Sequence, residues 1–94
     1  MRIQIKAFAR IRDILGERVE LDLPEGITVG GLLAELVKKY GRELEKAIFN
    51  SKTGKLQPYI RVLLNGRDVD FLDGLNTRLN SGDVLALFPP VAGG

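Results

Sequence analysis

The chain has 94 residues, of which 45% are apolar and 28% charged, with a formal net charge of +2. That size and balance predict one folded domain with a real core, and the mild basic excess, scattered among acidic residues, argues against a nucleic-acid surface. With no Cys and no His, disulfides, thiolate nucleophiles, imidazole bases and nearly all zinc chemistry are excluded.

No apolar run approaches the roughly 18 residues needed to cross a membrane. Met1-Arg2-Ile3-Gln4-Ile5-Lys6 carries no hydrophobic signal core. A cytoplasmic protein without membrane association is expected.

Ile3 and Ile5 alternate with Arg2, Gln4 and Lys6, which predicts a half-buried strand over residues 2–8. From Phe8 the apolar positions move to Ile11, Ile14 and Leu15, the spacing of a short helix closed by Gly16. Val19, Leu21 and Leu23 alternate again in a second strand that stops at Pro24-Glu25-Gly26. Val29, Leu32, Leu33, Leu36, Val37 and Tyr40 then draw one face of a longer helix. Thr28 stands at its N-cap position, Lys38 and Lys39 near its C-terminus, and Gly41 after it. A weaker helix runs from Arg42 to Phe49, followed by the polar loop Asn50–Lys55. Tyr59 to Leu64 form a third strand before the tight-turn pair Asn65-Gly66, and Val69 marks a short fourth one. Asp70 to Asn80 is irregular, with Phe71, Leu72, Leu75 and Leu79 expected as buried pegs. Ser81-Gly82-Asp83 turns into the last strand, Val84–Phe88.

Two strands, a helix and further strands make an α+β arrangement of the β-grasp (ubiquitin-like) kind: a mixed sheet of about five strands with one main helix on one face. In that topology the first and last strands lie parallel at the centre, and their apolar character fits burial there. Residues 1–88 would form the domain and 89–94 a C-terminal tail.

The tail reads Pro89-Pro90-Val91-Ala92-Gly93-Gly94. Two prolines stop the strand, because each fixes φ and donates no backbone hydrogen bond. Two glycines without Cβ make a tip slim enough for a narrow slot. Fully extended, six residues reach ~20 Å. On spacing alone a frayed end or a cloning remnant reads equally well.

Taken together the residues resemble the MoaD/ThiS family of ubiquitin-like sulfur carriers. The resemblance is carried by Phe8-Ala9-Arg10-Ile11-Arg12-Asp13-Ile14-Leu15-Gly16, by the helix from Thr28-Val29 through Leu32-Leu33 and Leu36, by Leu64-Asn65-Gly66, and most specifically by Gly82 to Gly94 with its Phe-Pro-Pro-Val-x-Gly-Gly ending. That ending resembles the molybdopterin-synthase small subunits more than the thiamin-pathway carriers. The stretches Asn50–Pro58 and Asp70–Thr77 are similar to archaeal members, which include protein modifiers.

The resemblance implies that the Gly94 carboxylate is adenylated by an E1-like (MoeB-like) enzyme using ATP and magnesium, and that a sulfur donor converts the adenylate to a thiocarboxylate. The large molybdopterin synthase subunit (MoaE-like) would then take the sulfur to build a dithiolene. The chain would hold no cofactor or metal and act as a carrier without catalytic side chains. The alternative is a modifier joined through Gly94 to lysines of other proteins. Gly93 and Gly94 are the expected reacting end. Phe88, Pro89, Pro90, Val91 and Ala92 are candidate partner contacts at the tail, Phe88 standing equally well as the end of the core. Val62 and Leu64 are either a recognition patch on the sheet face away from the helix or ordinary core. Arg10 and Arg61, with Arg12 and Arg67, either meet an acidic partner surface or form a solvated face. Asp13, Glu17, Glu43 and Glu45 read as surface charge.

Overall fold

The computed structural model describes residues 1–89. Alternation sets the first strand, β1 (Arg2–Ala7), with Ile3, Ile5 and Ala7 buried. Helix α1 (Ala9–Leu15) buries Ile11 and Leu15 and gives way at Gly16 to β2 (Arg18–Asp22). Helix α2 (Val29–Tyr40) opens on Thr28, whose hydroxyl accepts the Gly31 N–H at 3.1 Å. Its apolar face buries Val29, Leu32, Leu33 and Leu36. Gly41 donates its N–H to the Val37 carbonyl at 2.7 Å and takes φ +81°. That left-handed conformation, natural to glycine, lets α3 (Arg42–Ile48) start at once in a new direction. Strands β3 (Arg61–Leu64), β4 (Arg67–Asp68) and β5 (Val84–Phe88) complete the chain.

The five strands form one sheet in the order β2-β1-β5-β3-β4. The central pair is parallel, with Ile5 opposite Leu85, and every other pair is antiparallel. This is the β-grasp arrangement that the order of elements predicts. The inward strand residues share one core with α1, α2 and α3, in which Leu32, Leu33, Leu36, Leu44, Ile48, Leu85 and Leu87 have no exposed surface. Among the described residues no helix is long and apolar enough to cross a membrane.

Three expectations need correction. Val69 is not a strand residue; the fourth strand is Arg67–Asp68, and Val69–Phe71 is a 3-10 turn capped by the Asp68 carboxylate, which accepts the Asp70 N–H at 2.9 Å. That turn points Val69 inward and leaves Phe71 85% exposed, so Phe71 is not a core peg. The central strands are not buried on both faces either. In β5, Leu85 and Leu87 are buried while Val84, Ala86 and Phe88 are half-buried, because the helices cover one face of the sheet and leave the other open.

Candidate functional site

The open face is built by parity. Residues directly opposite each other on neighbouring strands point the same way, so the register Lys6–Ala86–Leu63–Asp68 runs across the face as one row. Gln4 and Val84 form the row before it, and Phe88 and Arg61 the row after. Val84, Ala86, Phe88 and Leu63 therefore make a half-buried apolar stripe down the middle, between polar margins.

This parity decides the fate of two predicted contacts. Val62 (2% exposed) and Leu64 (8% exposed) face the helices and belong to the core, not to the open face. Their neighbour Leu63 faces out in their place. A slip of one residue along a strand moves every side chain to the other side. The exposed Arg61 at the head of the same strand is the signal that sets the phase correctly.

The lower end of the stripe is clamped. The Asn65 side chain donates to the Asp83 carboxylate at 3.0 Å and accepts the Val84 N–H at 2.9 Å. The second Asp83 oxygen accepts the Asn80 N–H at 2.7 Å, the local bond expected of that aspartate. Asn65 at φ +52° and Gly66 at φ +85° form the tight turn between β3 and β4. The start of β5 is thus tied to the β3–β4 turn by side chains as well as by the ladder.

The upper end is the root of the tail. Phe88 is half-buried and stacks on Phe8, with ring centroids 4.3 Å apart and planes 7° from parallel. Phe8 is 38% exposed and stands at the N-cap of α1 without a side-chain cap bond. The next residue, Ala9, has φ +52°, a left-handed conformation costing roughly 1–2 kcal/mol for a residue with Cβ. The corner between β1 and α1 is held in that conformation where it presents the Phe8 ring to Phe88. Phe8 was legible only as part of the motif. Its role here comes from the parallel β1–β5 pairing, which brings the ends of these two strands together.

Arg61 lies opposite Phe88, and its Nη1 is 3.4 Å from Asp70 and 3.9 Å from Asp68. It is an anchored cation on the far margin of the face. Arg10 is not beside it: Arg10 lines a groove with Asp13, Ile14, Glu43, Lys46 and Ala47, between α1 and α3. The exposed Arg12 lies on α1 and the exposed Arg67 on β4, so the four arginines do not form a single patch. Pro89 follows β5 and is half-buried. Pro90, Val91, Ala92, Gly93 and Gly94 lie outside the described residues, as do the expectations placed on them.

An exposed ion-pair cluster lies on the near margin. The Arg2 Nε is 3.2 Å from Asp22, and Nη1 is 3.5 Å from Glu20. Hydrogen bonding and charge from Arg2 lower the Asp22 pKa, and Asp22 raises that of Arg2. Among the described residues no group of acidic side chains is arranged to hold a metal ion. What the face offers is an apolar stripe with charged margins, leading to the strand end that precedes Pro89.

Comparison with known proteins fits this geometry. A family model described as the ThiS family matches residues 5–94. The chain is 36% identical over 95 residues to small archaeal modifier protein 3 of Haloferax volcanii, covering all of both chains. It is 30% identical over 97 residues to a molybdopterin synthase sulfur carrier subunit of Drosophila yakuba, covering 100% of this chain and 92% of that one. The crystal structure of SAMP1 from Haloferax volcanii superposes with a TM-score of 0.87 at 36% identity, over all of both chains.

Proposed function

The chain belongs to the ThiS family of ubiquitin-like sulfur carriers, and from that premise we propose that its working group is the Gly94 carboxylate, activated and sulfurated by partners that grip the open face of the sheet. The single observation that carries this reading is the placement of the stripe Leu63–Val84–Ala86–Phe88. It is apolar, faces away from the core and ends at the strand from which Pro89 and the Gly-Gly segment continue. A domain docked by that face delivers its tail into the same partner, so reactive ends meet without a search.

The chemistry needs nothing from the folded body beyond that grip. A carboxylate is a poor acyl donor because oxide is a poor leaving group. In an E1-like (MoeB-like) enzyme a Gly94 carboxylate oxygen attacks the α-phosphorus of ATP and expels pyrophosphate, with magnesium neutralising the phosphates. Sulfur at the sulfide level, supplied by a donor, then attacks the acyl carbon and expels AMP. No oxidant or reductant enters, and the product is a thiocarboxylate. The large molybdopterin synthase subunit (MoaE-like) would take this sulfur into a dithiolene. The chain acts as co-substrate in both steps and needs no cofactor of its own.

A second reading shares the activation step and differs in the acceptor: the acyl group passes to a lysine amine of another protein. The whole-chain similarity to modifiers of Haloferax volcanii favours it, while the similarity to the fly carrier subunit favours sulfur delivery. Both activities can reside in one chain.

Pyrophosphate exchange with the activating enzyme of the same cell tests the shared step. Gly94→Val should abolish it while leaving the circular dichroism spectrum and melting curve unchanged, because a side chain there obstructs the partner's slot. Normal exchange by that variant sinks the reading. Mass spectrometry of protein from its native cell separates the acceptors. A terminal peptide heavier by the difference between sulfur and oxygen marks the carrier, and Gly-Gly remnants on lysines of other proteins mark the modifier.

A further inference from the structure

The β1–β2 ladder treats charge differently at its two ends. At one end Arg2 stands directly opposite Asp22 and is paired with both Asp22 and Glu20. At the other end, next to the tail root, Lys6 stands directly opposite Arg18. Like charges at opposed positions repel, and a complementary pair would serve the fold better. Neither Lys6 nor Arg18 takes part in an ion pair among the described residues. Glu20 shares their face, but Arg2 holds its carboxylate at 3.5 Å. Glu17 lines the same hollow and makes no ion pair with either. The hollow itself, about 180 Å³, is bounded by Lys6, Ala7, Phe8, Glu17 and Arg18. Phe8 joins it to the Phe8–Phe88 stack, and Lys6 stands opposite Ala86 of the apolar stripe.

We propose that Lys6 and Arg18 form a cationic seat for a side-chain carboxylate of the protein that grips the open face, placing a specificity contact beside the tail root. The inference rests on the carrier reading above and adds to it the chemistry that its partner must present. A neighbouring apolar stripe points to a protein surface, where a charge beside it fixes register and excludes wrong partners. A nucleic-acid backbone would need cations along the whole face, yet the far margin carries Asp68 and Asp70. Half-burial of Lys6 increases what a matched carboxylate gains there, since a partly desolvated pair is screened less. The repulsion tolerated in the free domain is relieved when the seat is filled.

Two experiments test this. The first needs no partner. Lys6→Gln, Arg18→Gln and the double variant form a thermodynamic cycle read by thermal melting. The pair should show repulsive coupling, each single change raising Tm relative to expectation by about 1–5 °C. Attractive or absent coupling overturns the proposal. The second measures pyrophosphate exchange with the activating enzyme as carrier concentration is varied. Lys6→Glu should raise KM for the carrier by about tenfold and flatten its dependence on salt, with kcat unchanged. Arg42→Glu, on α3 behind the sheet, should leave KM alone, and an Asp or Glu→Lys change on the enzyme should rescue Lys6→Glu. A rise in KM for ATP instead would put a nucleotide phosphate in the seat and overturn the proposal. Exchange by the wild-type chain with an unmoved KM in Lys6→Glu sinks the seat alone. Absence of exchange by the wild-type chain sinks the carrier reading and the assigned occupant with it.

Discussion

Leu85 and Ala86 are neighbours in one strand, yet they live under opposite constraints. Leu85 has no exposed surface and packs among the helices, whereas Ala86 sits in the middle of a face that none of the described elements covers. The covered face is selected for volume: Ile3, Ile5, Val62, Leu64, Leu85 and Leu87 fill one continuous core. Among the described strands, the open face keeps its apolar side chains along Leu63, Val84, Ala86 and Phe88 and places charges at both margins. A face kept apolar at its centre without cover from its own fold is a contact surface, and its position at the tail root ties contact to chemistry.

A large effect that can break this contrast is Leu85→Ala. Removing a fully buried leucine should cost about 3 kcal/mol, with a fall in the urea midpoint at constant slope. Ala86→Lys, one residue away, should change stability by less than about 0.5 kcal/mol. Equal losses from the two variants would mean that both faces are packed.

A second test moves to β3, where Leu63 and Leu64 divide in the same way. Leu63→Asp should leave the fold intact and raise the KM of the activating enzyme for the carrier by about tenfold or more, the scale of a central contact residue. Leu64→Asp should unfold the domain, since an unpaired carboxylate would be placed among buried side chains. An intact fold with Leu64→Asp would reverse the assignment of faces.

The division of β3 also shows what the sequence makes legible. The longer elements were readable by type, because period two and period 3.6 are written in Ile3–Ile5 and in Val29–Leu36, whereas the 3-10 turn at Val69–Phe71 was not. The parallel pairing of first and last strands followed from topology rules. Phase within β3 was harder, since Val62, Leu63 and Leu64 are all apolar and only Arg61 marks which side is wet. Phe71 misled for a related reason: inside an irregular segment no period exists, and a large apolar residue is assigned to the core by type alone. The pairing of Phe8 with Phe88 joins residues 80 positions apart in sequence, and nothing local announces it.

A third, smaller effect sharpens the tail root. Phe8→Ala should lose about 1 kcal/mol from the ring stack beyond the area it exposes. Ala9→Gly should gain up to about 1 kcal/mol, because glycine accepts the positive φ that alanine adopts at a cost. If Ala9→Gly stabilises the domain yet slows pyrophosphate exchange, the strained corner is holding Phe8, and through it Phe88, in the orientation that partners require. Stabilisation without any change in exchange would reduce the corner to a structural detail.

The smallest effect distinguishes the two ends of the β1–β2 ladder. Arg2 depresses the Asp22 pKa in the folded domain, so the contribution of this pair is present above the unfolded carboxylate pKa of about 3.9 and is lost as pH falls through the lower folded value. Both groups are exposed, and the contribution is small. Asp22→Asn should therefore lower the urea midpoint slightly at neutral pH, and the gap to wild type should close under strongly acidic conditions. High salt should close the same gap at neutral pH, because it screens an attraction. At the Lys6–Arg18 end salt screens a repulsion, so the advantage expected of Lys6→Gln should shrink with salt from the opposite sign. Two ends of one strand pair, moved in opposite directions by one change of solvent, would separate charge placed for the fold from charge placed for a partner. Parallel responses at the two ends would show that both serve the fold alone.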